Sequence, residues 1–563
     1  MDNFFLPIQL LKNNKDIDDN FYNDLELLEN NNNNGVYNKL FKPNNKYSIH
    51  TLKILTKKYT SDPQFIKDTQ TFIKNNKTNK NNIKTINKTI EVWNSIKNDD
   101  QFLDKFSFIS WEPVQFLNEF APLLSIITFY SIFSPVINLI SPLVILIIPF
   151  ILLKIMGHDI NVTNYVNILY EQLKKFSFFK FFTESNATYQ AKAYYLFCFG
   201  MYIYNIYQNI LSCIDFYKNT KAINKNFKTF DTYCDYTIDK LNITINNCKK
   251  LKSYQPFKKQ LKELKFKLSN FKKSLNDTPR FSINPLNLIR SGMTLKQYYL
   301  LYSLTDINQL LQDTFVFHGF LDNIYNFSTL VKNKKVLKCA ISNKSNTYVE
   351  FNNFYHPSIE NNCVQNSIKI DKNIIITGPN ASGKTTLIKA TLLNLLLVQQ
   401  TGYGFFESGK IKPFDNLYCY LNIPDTNSRD SLFQAEARRC INILNKINKT
   451  KKQTHFCIFD ELFSGTNPYE AISSAYSYLN YISKNNNVKF LLTTHFNKLC
   501  EMLNKNESFI NMKMDCELKN DIPNYKYKIN QGISYIKGGV CVLKQLEFPD
   551  KIITETKKII KKL

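Results

Sequence analysis

Paired cysteines are missing from this 563-residue sequence: its twelve cysteines are scattered and none falls in a C-x-x-C spacing. That argues against a zinc site or a disulfide framework and for a reducing, intracellular compartment. Acidic residues are also short, 46 against 72 lysines and arginines, which leaves a formal charge of +26 and a pI near 9.3. Such a balance suits a polyanionic partner, nucleic acid or an acidic membrane surface, although a biased Asn/Lys-rich composition gives the same charge with no partner. A secretory leader is lacking as well, since MDNFFLPIQLLKNN has an acid at position 2 and too short an apolar run. Hydrophobic residues make up 44% of the chain, enough for folded cores, and the length predicts about three or four domains.

One stretch has no charge at all. Residues 120–153, FAPLLSIITFYSIFSPVINLISPLVILIIPFILL, are bracketed by Glu119 and Lys154. A membrane-crossing helix needs roughly 20 apolar residues, so the run is too long for one upright span and short for two. Pro135, Asn138 and Pro142 near its middle predict a hairpin of two short helices, associated with a membrane or, alternatively, buried as a pair in a large core. From about residue 158 to 348 the pattern is helical, rich in aromatics and poor in glycine. Its most basic part, residues 249–273, carries Lys249, Lys250, Lys252, Lys258, Lys259, Lys262, Lys265, Lys267, Lys272 and Lys273 against one acid, Glu263. Threaded with Leu251, Leu261, Leu264, Phe266, Leu268 and Phe271, this reads as a basic amphipathic helix or helix pair suited to nucleic-acid phosphate or anionic headgroups, or as a merely solvated face.

The densest chemistry lies further on. A short apolar run, Ile374 to Ile376, feeds Gly378-Pro379-Asn380-Ala381-Ser382-Gly383-Lys384-Thr385-Thr386 and then a helical pattern, matching G-x-x-x-x-G-K-[ST]. Glycines let backbone N–H groups converge on phosphate oxygens, the following helix start favours an anion, Lys384 can reach β- and γ-phosphates, and Thr385 can ligate Mg²⁺. Ser431 opens a later helix, where a serine either caps its own helix or offers its hydroxyl to an anion. HFCIFDE ends an apolar run in Asp460 and Glu461, a pair that can divide metal and base roles. VKFLLTTH ends at His495, which in isolation reads as an ordinary polar residue at a strand end and, after the phosphate loop and the Asp-Glu strand in this order, as a γ-phosphate sensor.

Taken in order, these signals resemble the ATPase domain of the MutS family of DNA mismatch-repair proteins. GPNASGKTT is similar to its phosphate loop, SLFQAEA to its trans-acting S-T-F-x-x-E signature, FDELFSGTNPYEA to its D-E-x-x-x-G-T loop, and TTHF to its A-T-H-Y. FYHPSI and VQNSI upstream, and KYKINQG and GGVCVLKQLEFP downstream, resemble the flanking strands and closing helix. The L-S-G-G-Q of the neighbouring ABC and SMC ATPases does not stand before Asp460. The resemblance implies an ABC-like α/β P-loop ATPase domain of MutS type at the C-terminus, preceded by a mostly α-helical core and lever region with the hydrophobic hairpin. It implies ATP and Mg²⁺ as cofactors, with Ser431 reaching the nucleotide of a partner in a homodimer or MutS-like heterodimer, Val364 and Tyr527 flanking the adenine, and DNA as the macromolecular partner. The expected divisions are 1–118 (start of the core), 119–156 (membrane hairpin), 157–345 (core, lever and clamp), 346–550 (ATPase) and 551–563 (basic helix). A membrane-bound, ATP-driven switch not acting on DNA is the alternative. The resemblance implies mismatched or branched DNA, in mismatch repair or recombination, although it does not extend to an N-terminal mismatch-reading domain of adequate length.

Overall fold

The computed structural model describes residues 3–560 apart from 29–34, 77–81, 158–160, 175–179, 181–187, 343–348, 360–362, 422–430, 520–521, 537–539, 541–542 and 545. The asparagine run, parts of GGVCVLKQLEFP and the last three residues of the basic C-terminal helix thus lie outside the described residues. The chain forms two units, one of residues 1–83, 240–264 and 313–563, the other of residues 84–239 and 265–312.

In the first unit, a small antiparallel pair is made by β1 (Asn14–Asp16) and β2 (Lys58–Thr60). Strands β3 (Leu337–Ile341), β4 (Val349–Phe354), β5 (Asn366–Ile370), β7 (Tyr403–Gly404) and β8 (Ser408–Ile411) form a five-stranded sheet in the order β5-β4-β8-β3-β7. The larger sheet holds β6 (Asn373–Thr377), β9 (Asn416–Tyr420), β10 (His455–Asp460), β11 (Val488–Thr494), β12 (Phe509–Lys519) and β13 (Ile522–Gln531), in the order β13-β12-β6-β11-β10-β9. Every pairing in it is parallel except β12 with β13. The apolar runs explain this, because parallel strands are covered on both faces and so lose the polar alternation of a half-exposed strand. Alternate residues Cys457, Phe459, Phe490 and Leu492 enter one core with Leu479 and Ile482 of the Pro468–Ser483 helix.

The helix after the 378–383 loop, Lys384–Thr401, is buried almost throughout, including its polar residues. Buried amides need partners, and here residues 1–83 supply many of them. Gln399 Nε2 donates to the carbonyls of Thr60 (3.0 Å) and Phe414 (2.8 Å), and Gln400 Nε2 to those of Leu55 and Lys58 (2.8 Å each). Tyr37 donates its hydroxyl to Gln400, and Arg439 pairs with the buried Asp24. The N-terminal segment therefore braces the far end of the helix whose start carries the glycine loop.

In the second unit, the expected hairpin is instead one continuous helix, Ala121–Ile155. Proline removes an N–H and frees the carbonyl four residues back, here Ser131 for Pro135 and Asn138 for Pro142. Each proline follows a serine that fills the gap: Ser134 Oγ donates to the Ser131 carbonyl (3.5 Å) and Ser141 Oγ to that of Asn138 (3.0 Å). The breakers are thus re-satisfied within the helix, and it does not turn.

The N-terminal third of this helix packs on Ser291–Ser303 at Gly292. A Cβ at that position would stand 1.9 Å from the Ala121 carbonyl oxygen and 2.6 Å from the Ser125 nitrogen, both backbone atoms. Gly292→Ala is therefore expected to force the helices apart and destabilise this unit by about 1–3 kcal/mol or more, seen as an earlier unfolding midpoint in urea; an unchanged midpoint would contradict the close approach. A second long helix, Tyr189–Asn247, continues past residue 215 with Phe216, Thr220, Ile223, Phe227, Phe230 and Thr237 buried at helical spacing.

Candidate nucleotide site

Three strand ends and one helix start build the site. The loop after β6 reverses through Ala381 (φ 61°) and Gly383 (φ 91°) into Lys384–Thr401. Gly383 has a left-handed backbone that favours glycine, and a Cβ there would press on Cδ1 of Tyr527 at 3.1 Å. At Gly378 a Cβ would lie 2.8 Å from Ser382 Oγ and 3.0 Å from Met514 Cβ. The Lys384 ammonium donates to the carbonyls of Gly378 (3.0 Å) and Pro379 (3.2 Å) and lies 3.3 Å from His495 Nε2. Burial pushes it below the ordinary lysine range, against the opposing pull of Glu461 and Asp460.

At the tip of β10, Asp460 accepts from Thr385 Oγ1 (2.8 Å) with one oxygen and from the Thr493 hydroxyl with the other. Glu461 turns into the left-handed region (φ 52°), where its N–H donates to the Thr493 carbonyl at 3.1 Å. His495 Nε2 sits 2.7 Å from Glu461 Oε1, and this contact holds the Glu461 carboxyl below the usual carboxylate range. Lys384, Thr385, Asp460, Glu461 and His495, some 110 residues apart at the extremes, are thus one connected cluster.

Beside it opens a cleft of about 500 Å³, within the range of ligand pockets. Asn380, Ala381, Ser382, Gly383, Thr386, Val364 and Tyr527 all line it, together with Lys384, Thr385 and Glu461. His356 joins them, its imidazole pushed down to about 4 by burial; the H-P in FYHPSI was its signal. Asn366 fixes the wall by donating to the Tyr527 carbonyl (3.0 Å) and accepting from the Ile529 N–H (2.9 Å). Ser382 Oγ is buried without a hydrogen-bond partner, which suits a ligand oxygen. Among the described residues no cluster of three or more metal-ligating His, Cys, Asp or Glu side chains occurs, so a cation here would be held by Thr385, Asp460 and the ligand's own oxygens.

Ser431 does not line this cleft. It caps the helix Leu432–Lys449, its hydroxyl accepting from the Gln434 N–H (3.3 Å) while Gln434 Oε1 accepts from the Ser431 N–H (3.0 Å). One residue that sequence reasoning left without a role is Glu436 of the same helix. Buried, it accepts from the N–H (3.1 Å) and hydroxyl (2.9 Å) of Ser464 and from the N–H of Gly465 (3.2 Å), fastening the Ser431 helix to the loop that follows Glu461. The lysines of 249–273 are elsewhere. They ride on the helix Gln255–Asp277 and the turn before it, with Leu261, Leu264, Leu268, Phe271 and Leu275 buried and most lysines exposed; Lys258, Lys265 and Lys272 are half-buried, and Lys272 pairs with Asp235.

Residues 374–563 match the family model MutS domain V. The chain is 27% identical over 257 residues to a DNA mismatch repair protein MutS of Borrelia turicatae, covering 44% of this chain and 29% of that protein. To the proteins of the same name from Fusobacterium nucleatum and Clostridioides difficile it is 30% identical over 268 residues and 31% over 266, covering 44% and 43% of this chain but only 29% and 26% of theirs. The chain thus matches less than a third of the length of these relatives. With the loop, the Asp-Glu strand end, the histidine and the capped serine helix in that family's order, residues 374–563 are similar to MutS domain V, and it is this part of the chain that carries the likeness to the MutS proteins.

Proposed function

We propose that this protein is an ATPase that binds ATP with Mg²⁺ in the 500 Å³ cleft, completes its site with Ser431 of a second protomer, and couples that cycle to DNA binding. The observation that carries the reading is the joined cluster of Lys384, Thr385, Asp460, Glu461 and His495 beside a loop whose Gly383 is left-handed and whose two glycines are closely packed. In this reading the backbone N–H groups of residues 380–385 and the Lys384 ammonium hold phosphate oxygens, and Val364 and Tyr527 flank the base. Thr385 and Asp460 hold the cation, which when bound neutralises charge on the phosphate oxygens. Glu461 accepts the proton of the attacking water or orients it, and His495 fixes the Glu461 carboxylate and faces the terminal phosphate.

DNA is the proposed partner because the relatives are named for mismatch repair and because the basic helix faces outward with its apolar stripe already buried. That burial leaves the lysines free for phosphates and withdraws the same stripe from insertion into lipid. Changing Lys259, Lys262, Lys267 and Lys273 together to glutamine is expected to weaken duplex binding and to flatten its dependence on salt by up to about four counterions in the log–log slope. Unchanged affinity and slope would remove this helix from the DNA reading. Free cysteines among the described residues fit an intracellular, reducing location. The second reading, an ATP-driven switch at a membrane with no action on DNA, is favoured by the helix Ala121–Ile155, which carries no charge before Lys154.

A further inference from the structure

The most unusual surface of the second unit is made by two helices. Beyond its packed first third, Ala121–Ile155 is apolar without being buried: from residue 135 to 155 no described residue is buried, and Leu139 is 61% and Ile147 54% exposed. Only 17% of the most apolar window within Ala121–Ser141 is buried. A core helix of a soluble protein would show the opposite. The other helix, Tyr189–Asn247, changes character along its length. From 216 onward it has a buried stripe and regular charges, but residues 193–214, AYYLFCFGMYIYNIYQNILSCI, contain no charge. In that uncharged part Tyr195 alone is buried, while Phe197 is 64% and Ile203 51% exposed.

The two apolar lengths run antiparallel against each other. Cys213 Sγ donates to the Ile132 carbonyl (3.0 Å), and Tyr202 donates its hydroxyl to the Asn138 carbonyl (3.4 Å), the one freed by Pro142. These contacts join residues 132–138 to residues 202–213, and the uncharged lengths 132–153 and 193–214 that contain them are equal, ending at Lys154 and Lys192 on one side and, for the second, at Asp215 on the other. At 1.5 Å per residue each is about 33 Å long, against a bilayer hydrocarbon core of about 30 Å.

We propose that these segments are a transmembrane helical hairpin, with residues 132–153 crossing in one direction and residues 193–214 returning, so that the occupant of the apolar surface is a lipid bilayer. Each helix has one partly shielded stripe, Ser134, Pro135, Asn138 and Ser141 on the first and Tyr195, Cys198, Tyr202, Ile206, Asn209 and Cys213 on the second, and most of the apolar residues on its other faces are exposed. An interface with a second copy would cover one more stripe and leave the rest in water, whereas a bilayer covers them all. Serine and tyrosine hydroxyls satisfy the carbonyls that Pro135 and Pro142 free, as a backbone in hydrocarbon requires. Lys154 and Lys192 are long enough to reach headgroups. Asn205, Gln208 and Asn209 share one face, and Asn209 satisfies its amide on the Asn205 carbonyl at 2.8 Å. The inference needs no nucleotide and stands apart from the ATPase reading.

The test is synthesis of the full chain with phosphatidylcholine vesicles, which carry no net charge for the basic helix to bind, followed by alkaline carbonate extraction and flotation. The wild-type chain is expected to float. Ile147→Glu and Ile203→Glu, each alone, are expected to shift it to the soluble fraction, whereas Ile147→Leu and Ile203→Leu leave it floating. A membrane-impermeant maleimide gives a second reading without any substitution: Cys198 should be labelled in detergent and protected in vesicles. Release of the wild-type chain by carbonate, as monomer or as a discrete soluble dimer, would overturn the proposal. So would labelling of Cys198 in intact vesicles, or flotation of Ile203→Glu, which would mean that the second segment does not cross.

Discussion

Glu461→Gln is expected to leave ATP binding unchanged and to lower turnover by about 10²- to 10⁴-fold. The carboxylate stands at the end of β10 in a left-handed conformation held by its N–H to the Thr493 carbonyl, so its position is set by the strand and not by a ligand. His495 at 2.7 Å keeps it ionised well into acid, the form that accepts a proton or orients water. Glutamine keeps the size and the contact but loses the charge and most of the basicity. Nucleotide affinity should survive because Lys384, Thr385 and the loop are untouched and because Asp460, joined to Thr385 and Thr493, is the residue on the cation side. Phosphate release and equilibrium binding of a fluorescent ATP analogue measure the two effects separately. Ordinary turnover would assign the base role elsewhere, and lost binding would place Glu461 on the cation instead.

The grouping of these residues was legible in the sequence because each part is local. A glycine loop between an apolar run and a helix, an Asp-Glu pair at a strand end and a histidine at another are short patterns whose geometry the neighbouring backbone fixes. What brings Lys384 within 3.3 Å of His495 is the parallel neighbourhood of β6, β11 and β10, which the apolar runs also signal. The bracing of the Lys384–Thr401 helix by residues 1–83 was not legible. Gln399 and Gln400 read as ordinary helix residues, and their partners at Leu55, Lys58 and Thr60 lie more than 300 positions away. The proline-rich apolar run was misread for a different reason. Breakers end a helix when the freed carbonyls have no partner, and the serines one position before Pro135 and Pro142 supply partners that a breaker rule ignores. The returning segment escaped notice because tyrosines and asparagines lower its hydropathy, although the missing charge between Lys192 and Asp215 could be counted directly.

The other large effect concerns the proposal that a second chain completes the site. Ser431→Ala alone is expected to cut turnover by about 10²-fold, the order seen when one oxyanion donor is lost, with ATP binding by the same chain intact. A capping loss by itself would cost only about 1 kcal/mol of helix stability, so the size of the effect separates the two roles of this hydroxyl. Mixing decides the geometry. In a dimer of one Ser431→Ala chain with one Glu461→Gln chain, the cleft of the first has its own Glu461 and receives an intact Ser431 from the second. Two inactive preparations should therefore regain about a quarter of wild-type turnover when mixed at equal amounts, given random pairing and one working site of two in each mixed dimer. If Ser431 acted within its own chain, every cleft in the mixture would lack one group and no activity would return. The Glu436 carboxylate gives such a contact a route onward. It ties the Ser431 helix to the Ser464–Gly465 loop of its own chain, so engagement of one protomer's serine by its partner's nucleotide is mechanically linked to the loop that follows its own Glu461. Glu436→Gln, which keeps an acceptor and loses the charge, should then preserve part of the restored activity, whereas Glu436→Ala should abolish it while each chain still binds ATP.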